Sequence, residues 1–274
     1  MEQSKYNALD GERWTRLKAM AVSPMYYLFR RDNPPASTAA LTLGAASHCL
    51  ILEGAEEFGA HYIAEPDFGN LRTKAARENR DTWRESNSGR TILTAEQAAT
   101  CECMSAAVSV HPRAAELVSA LEPEIAYQWE DSETGIACKA MSDGVIFNER
   151  LVSLKSTRAT DPETFGRHFF NLGYHGGSAF YIDGYHAAHG QELPETVIAV
   201  QSVPPYDVWV FDLPPVVIDE GRGMYGRLLE QLDHCRKSNQ WPGAVPLSAD
   251  LPIPAWAIHA ETENDLSDLG LEGL

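Results

Sequence analysis

No apolar run among the 274 residues is long enough to cross a membrane; the best, around Ala45 to Leu52, falls far short of the roughly 20 residues that a spanning helix needs. The opening Met-Glu-Gln-Ser-Lys-Tyr lacks the basic-then-apolar order of a signal peptide, so the cytoplasm is the expected compartment. Cysteine is scarce and scattered. Cys49, Cys101, Cys103, Cys138 and Cys235 are odd in number, and the Cys-x-Cys pair has no second pair at a zinc-site spacing, so reduced thiols are expected. Positive charge is also in deficit. A net charge of −17 excludes a protein that coats nucleic acid with its whole surface, but not one whose basic residues line a groove. There is no internal repeat. With 44% hydrophobic and 22% charged residues, the chain has enough apolar material for one large folded domain.

One segment departs from the acidic average. Residues 71–90 hold Arg72, Lys74, Arg77, Arg80, Arg84 and Arg90 against Glu78, Asp81 and Glu85, a surplus of three positive charges. Arg77, Arg80 and Arg84 share a helical face by their spacing, which describes either a phosphate-contacting surface or a solvated helix.

The first third reads as helices. Asp10 is expected to cap one running through Trp14, Leu17 and Met20, and a second starts near Ser37 or Thr38 after Asn33-Pro34-Pro35. On that second helix Leu41, Ala45, His48 and Leu52 fall on one face, so His48 points where the apolar residues point. Glu53, five residues from His48, is expected on a different face, at the helix end. Thr94-Ala-Glu-Gln97 is a capping box for a helix to about Val110, and Pro112 opens the next, ending near Leu121. Strands follow at Glu124–Trp129, Ile136–Phe147 and Leu151–Ser156, with a hairpin turn at Asn148-Glu-Arg150. Asp161-Pro162 starts a helix closed by Gly173, another covers Ser178–Ala188, and strands at Glu195–Ser202 and Asp207–Asp212 precede a helix over Asp219–Lys237. This order predicts a mixed α/β domain with a helical N-terminal region. Residues 1–258 form it, helical over about 9–121 and with a core over about 122–258; the acid-rich 259–274 is expected to be a disordered tail.

Two adjacent strands carry the candidate chemistry. Asp143 lies on one, Ser153 and Lys155 share a face of the next, and alternate residues of neighbouring strands lie within reach of one ion. Carboxylate oxygens suit a hard cation such as Mg²⁺, which phosphodiester hydrolysis uses to neutralise phosphate charge and to acidify water. A lysine beside them can orient the attacking water and stabilise developing negative charge. Taken alone, an acid followed at a distance by Ser-Leu-Lys also describes a surface hairpin with a solvated lysine.

A resemblance extends over nearly the whole chain. It runs through Trp14-Thr-Arg-Leu-Lys18, Ser23-Pro24, Leu43-Gly-Ala-Ala-Ser-His48-Cys-Leu-Ile-Leu-Glu53, Arg72-Thr-Lys74, His111-Pro112, Glu124 and Thr134-Gly135 to Asp143. It continues with Ser153-Leu-Lys155-Ser-Thr157, Phe165, Gly173-Tyr-His175, Ala179-Phe-Tyr181, Pro204-Pro-Tyr-Asp207, Glu220-Gly-Arg222, Cys235, Trp241-Pro-Gly243 and Pro254-Ala-Trp256. In order and spacing these resemble the nuclease domain of the phage and prophage exodeoxyribonuclease VIII family, within the PD-(D/E)XK superfamily. The resemblance implies a nuclease-like core sheet flanked by helices, and Mg²⁺-dependent digestion of linear double-stranded DNA of the 5′–3′ type, with Mn²⁺ as a substitute ion. It implies DNA ends and a single-strand annealing protein as partners, and a homo-oligomeric ring whose channel carries the basic residues. Carried over by position, Asp143 and Lys155 are catalytic, His48, Asp143 and Glu124 belong to the metal site, and Tyr181 joins Arg72, Lys74 and Arg77 as DNA contacts.

The chain departs from that pattern in three places. Ser153 stands where the family has a second acid, Gly177 where it has a glutamine, and Met141-Ser142 where it has Arg-Pro. A neutral hydroxyl is a poor Mg²⁺ ligand, so the activity is expected to be reduced or lost unless another acid has moved in. Glu149, of the same parity as Ser153, is the nearest candidate along the chain. The alternative reading is a catalytically inactive relative that binds DNA ends or a recombination partner.

Overall fold

The computed structural model describes residues 3–245, so Pro254-Ala-Trp256 and the acidic 259–274 lie outside the described residues. The N-terminal region comprises α1 (Gln3–Ala8), α2 (Trp14–Leu17, prolonged by a 3₁₀ turn to Ala21), α3 (Pro24–Asp32) and α4 (Ala39–His48, followed by a π turn over Cys49–Glu53). Next come α5 (Ala55–His61), β1 (Tyr62–Ala64), α6 (Lys74–Ser86), β2 (Thr91–Leu93), α7 (Ala95–Val110) and α8 (Pro112–Ala120). Adjacent residues set most of these boundaries. Ser23, Thr38 and Thr73 each accept the backbone N–H three residues on, and Thr94 and Gln97 form the reciprocal pair that starts α7.

Asp10 does not cap a helix. Its carboxylate accepts from Gly11 N–H at 2.9 Å, while the Glu12 backbone bridges to β4 (Ala137–Ile146) through Ala137 O and Lys139 N, which delays the helix to Trp14. Glu12 also ties the N-terminal region together: its buried carboxylate accepts from Tyr27 Oη at 2.6 Å, Arg16 Nε at 2.8 Å and Arg236 at 2.6 Å.

The remaining elements are β3 (Glu122–Glu130), β5 (Arg150–Thr157), α9 (Pro162–Asn171), α10 (Tyr174–His189), β6 (Glu195–Gln201), β7 (Val208–Asp212) and α11 (Pro215–Ser238). The five strands order as β3-β4-β5-β6-β7, antiparallel except for β5–β6, which runs parallel because α9 and α10 cross between them; β1 and β2 form a separate parallel pair. The sheet is covered on both faces. Val152, Leu154, Ile198 and Val200 pack on Met104, Val108 and Leu117 of α7 and α8. On the opposite face Leu151 meets Ala179 and Ile182 of α10, and Val197 and Ala199 meet Phe165 and Phe169 of α9. This is the mixed α/β architecture, with a helix-flanked core sheet, expected from the order of elements.

Two helices start four residues earlier than their patterns suggest. Gly173, left-handed at φ 70°, ends α9 and opens α10 at once, and Pro215 takes the first turn of α11. Among the described residues no helix is long and apolar enough to cross a membrane, and all five cysteines are free thiols.

Candidate active site

The site lies where three strands part. β4 pairs with β5 only through Gly144–Ile146, and beyond that point the Asp143 carboxylate stands in for the ladder by accepting from Leu154 N–H at 2.9 Å. On the other side, Pro123 pairs with Gly144 and Ile125 with Ser142, which puts Glu124 opposite Asp143 in register. Glu124 itself is left-handed at φ 57° and interrupts that ladder. Non-glycine residues held in this region cluster at functional sites.

Lys155 Nζ lies 3.0 Å from Asp143 Oδ2 and 3.2 Å from Leu154 O, with the Tyr174 ring 5.8 Å away. An ammonium has three donors, so one remains for a water or phosphate oxygen. Burial pulls the lysine down, but Asp143 and Glu195 outweigh it and hold the ammonium above its usual range. Burial likewise pushes the Asp143 carboxyl up, while Lys155, His48 and the Leu154 N–H together hold it below the ordinary aspartate range. Near neutral pH the pair is therefore fully charged. His48 Nδ1 sits 4.0 Å from Asp143 Oδ1; burial, with Lys155 adding to it, lowers its pKa, so the imidazole is neutral and able to ligate.

His48, Ser153, Lys155, Glu124 and Tyr181 all line a cavity of about 1180 Å³. Leu41 and Ala45 line it as well, so the apolar face of α4 that carries His48 looks into the cavity, and Leu41 is 58% exposed. Leu52 leaves that face for the core. The cause is the π turn, marked by the Gly54 N–H bond to Cys49 O at 3.1 Å, which adds a residue to the last turn. The same turn corrects the expectation for Glu53: a π turn is wider than an α turn and brings residues five apart toward one face, and Glu53 joins His48 on the cavity wall.

Arg72, Lys74 and Arg77 are exposed and are absent from this wall; Lys74 pairs with Glu78 at 3.6 Å, while Arg80 and Arg84 are engaged by Asp81 and Glu65. Lys18 is the cation that the N-terminal region contributes to the cavity.

Ser153, 4% exposed, donates its hydroxyl proton to Glu195 Oε1, and Glu195, 2% exposed, is the first residue of β6. Burial raises the Glu195 pKa, while the Ser153 and Ser178 hydroxyls and Lys155 favour its charged form. No aligned hydrogen bond reaches the buried Oε2. Glu149 is not the relocated acid. It lies in the β4–β5 turn, half exposed, and its carboxylate accepts from Arg150 Nε at 3.0 Å. Glu195 escaped notice because its neighbour is a strand 42 residues away; the available signal was a lone acid opening the otherwise buried run Thr196-Val-Ile-Ala-Val200.

The other two departures also have physical partners. Ser142 Oγ and Tyr127 Oη share a hydrogen bond at 2.8 Å, and Tyr127 donates to Tyr181 O at 2.9 Å. At Gly177 the indole of Trp14 occupies the side-chain space, since an added Cβ would lie 2.8 Å from Trp14 Cδ1.

Residues 14–246 match a family described as a PDDEXK-like domain of unknown function (DUF3799). The chain belongs to that family. Membership places it in the PD-(D/E)XK superfamily, in keeping with Asp143 and Lys155 on adjacent strands. The fold is similar to the crystal structure of a Eubacterium rectale protein provisionally named an exonuclease, with 12% identity over 96% of this chain and 99% of that one and a TM-score of 0.56. A second crystal structure, SSO0001, aligns with 70% of this chain and 87% of its own at 11% identity, and its TM-score of 0.27 is too low to bear on the fold. No curated protein matches the chain.

Members of this superfamily generally use divalent cations, and the donor types here suit one: the carboxylates of Asp143 and Glu124, a neutral His48, and a Ser153 hydroxyl whose proton is committed to the buried Glu195. Among the described residues, no three histidine, cysteine or acidic side chains are already gathered as a ligand set.

Proposed function

We propose that the chain is a metal-dependent nuclease acting on the ends of linear double-stranded DNA, in the manner of the exodeoxyribonuclease VIII family. The observation that carries this reading is the Asp143–Lys155 pair at 3.0 Å, with Lys155 on the wall of a cavity that also holds His48. Asp143 fixes the ammonium, and the remaining Lys155 proton faces the site where an attacking water and a phosphate oxygen would meet. Asp143 and His48, with Glu124 at the edge, are the residues to hold Mg²⁺ or Mn²⁺, which supplies charge neutralisation and a more acidic water. Tyr174 and Tyr181, both half-buried, line the same cavity and offer rings to stack on bases of a frayed end. A homo-oligomeric ring and a single-strand annealing partner belong to the same reading, because a basic channel would reconcile DNA binding with a net charge of −17; sedimentation as a monomer alone would remove the ring.

The test is nucleotide release from linear duplex DNA with Mg²⁺ or Mn²⁺. The natural chain digests DNA, and Lys155→Ala or Asp143→Asn each lowers the rate by roughly 10²–10³-fold, the usual cost of removing one preorganised electrostatic group. Because Ser153 is neutral, a second reading stands beside this one: a relative that binds DNA ends without cutting them. Tight end-binding with no nucleotide release at either metal would establish that reading instead.

A further inference from the structure

We propose that the missing second acid is supplied from the neighbouring strand, with Glu195 of β6 acting through the Ser153 hydroxyl so that the two together replace a carboxylate on β5. The inference rests on the nuclease reading above and names a residue that reading does not use. Leu151 pairs with Glu195 and Ser153 with Val197 in the parallel β5–β6 register, which puts Ser153, Lys155 and Glu195 on one face of the sheet. A serine hydroxyl has one proton and two lone pairs. Here the proton is committed to Glu195 Oε1, so Ser153 Oγ presents only acceptor character to the cavity that it lines. The negative charge that a β5 carboxylate would carry sits one hydrogen bond further back.

Glu195 is a costly residue for a purely structural role. The strand behind it is Thr-Val-Ile-Ala-Val, buried throughout, and a hydrophobic residue at its head would serve packing without burying a carboxylate that has an unpartnered oxygen. Glu195 also favours the ammonium form of Lys155, in the same sense as Asp143 does. In this sense Glu195 is a positioning residue that acts through Ser153 and keeps it an acceptor.

Mn²⁺ affinity of the purified full chain, measured by titration calorimetry or by the electron paramagnetic resonance signal of free Mn²⁺, separates the possibilities without reference to activity. Glu195→Gln and Ser153→Ala are each expected to weaken Mn²⁺ binding roughly 10–100-fold, and the combined variant no more than either alone, because both remove the same unit. Ser153→Asp in the Glu195→Gln background is expected to recover affinity to within a few-fold of the natural chain, with the introduced glutamine amide donating to the new carboxylate; a merely structural Glu195 would not yield to such rescue. Natural affinity in Glu195→Gln or in Ser153→Ala, alongside weakened binding in Asp143→Asn, overturns the inference and leaves the nuclease site standing. Natural affinity in Asp143→Asn as well would remove the site reading itself. If Glu195→Gln does not fold, as judged by its circular dichroism melt, Ser153→Ala decides the matter, with natural Mn²⁺ affinity overturning the inference.

Discussion

Glu124 stands where both backbone and electrostatics oppose an extended, charged residue. Its φ of 57° costs a side-chain-bearing residue of the order of 1 kcal/mol. Burial, then Glu53 and Asp143, push its carboxyl up from 4.5 to about 7. Between those two values the folded chain holds a proton that the unfolded chain has released, so stability declines as pH rises through that window and levels off above it. Discounted for partial exposure, the loss is about 1–3 kcal/mol. In EDTA, Glu124→Gln should therefore be more stable than the natural chain at pH 8 by about that amount and equal to it near pH 4.5. Urea unfolding at the two pH values checks this, and a difference that does not change with pH would show that Glu124 is not held protonated.

At the scale of elements, what can be read from the sequence is what neighbouring residues decide. Thr94 with Gln97, and Asp161 before Pro162, fix helix starts through bonds to the next turn, and the structure places both helices there. Asp143 and Lys155 were visible because a hairpin brings them together over 12 residues. The early start of α10 was hidden because Gly176 and Gly177, poor helix formers, are shaped by a distant partner: Trp14 lies across them, 2.4 Å and 2.8 Å from where their Cβ atoms would be. Glu53 was misplaced because a π turn breaks the 3.6-residue period, and Glu195 because only the parallel β5–β6 pairing brings it beside Ser153. The Trp14–α10 contact carries its own prediction. Introducing a glutamine there, Gly177→Gln, should cost about 1–3 kcal/mol by overpacking. In Trp14→Ala, itself destabilising by about 3–5 kcal/mol, that further cost should vanish. Denaturant midpoints of the four proteins give the cycle, and additive losses would mean that something other than the indole excludes a side chain at 177.

Across the whole molecule the nuclease reading raises the question of how a chain of net charge −17 would hold a polyanion. The lysines on the cavity wall are Lys18 and Lys155. The other concentration of positive charge, Arg72, Lys74 and Arg77, sits at the N-terminal end of α6. The chain reaches the cavity rim at Gly89, beyond the opposite end of that helix, and its 13 residues separate the two ends by about 18 Å. A duplex end seated in the cavity should thus be held by about two phosphate contacts, each contributing about −0.9 to the slope of log affinity against log salt. The remaining acidic surface is screened beyond about 8 Å at physiological ionic strength, so it opposes binding mainly at low salt and flattens the slope there. Fluorescence anisotropy of a short labelled duplex between 50 and 200 mM salt is expected to give a slope of about −2, unchanged when Arg72, Lys74 and Arg77 are all replaced by alanine. A slope of about −4 to −5 that falls to about −2 in the triple variant would place the DNA path along α6 as well, and would turn the basic helix from a solvated face into part of the binding surface.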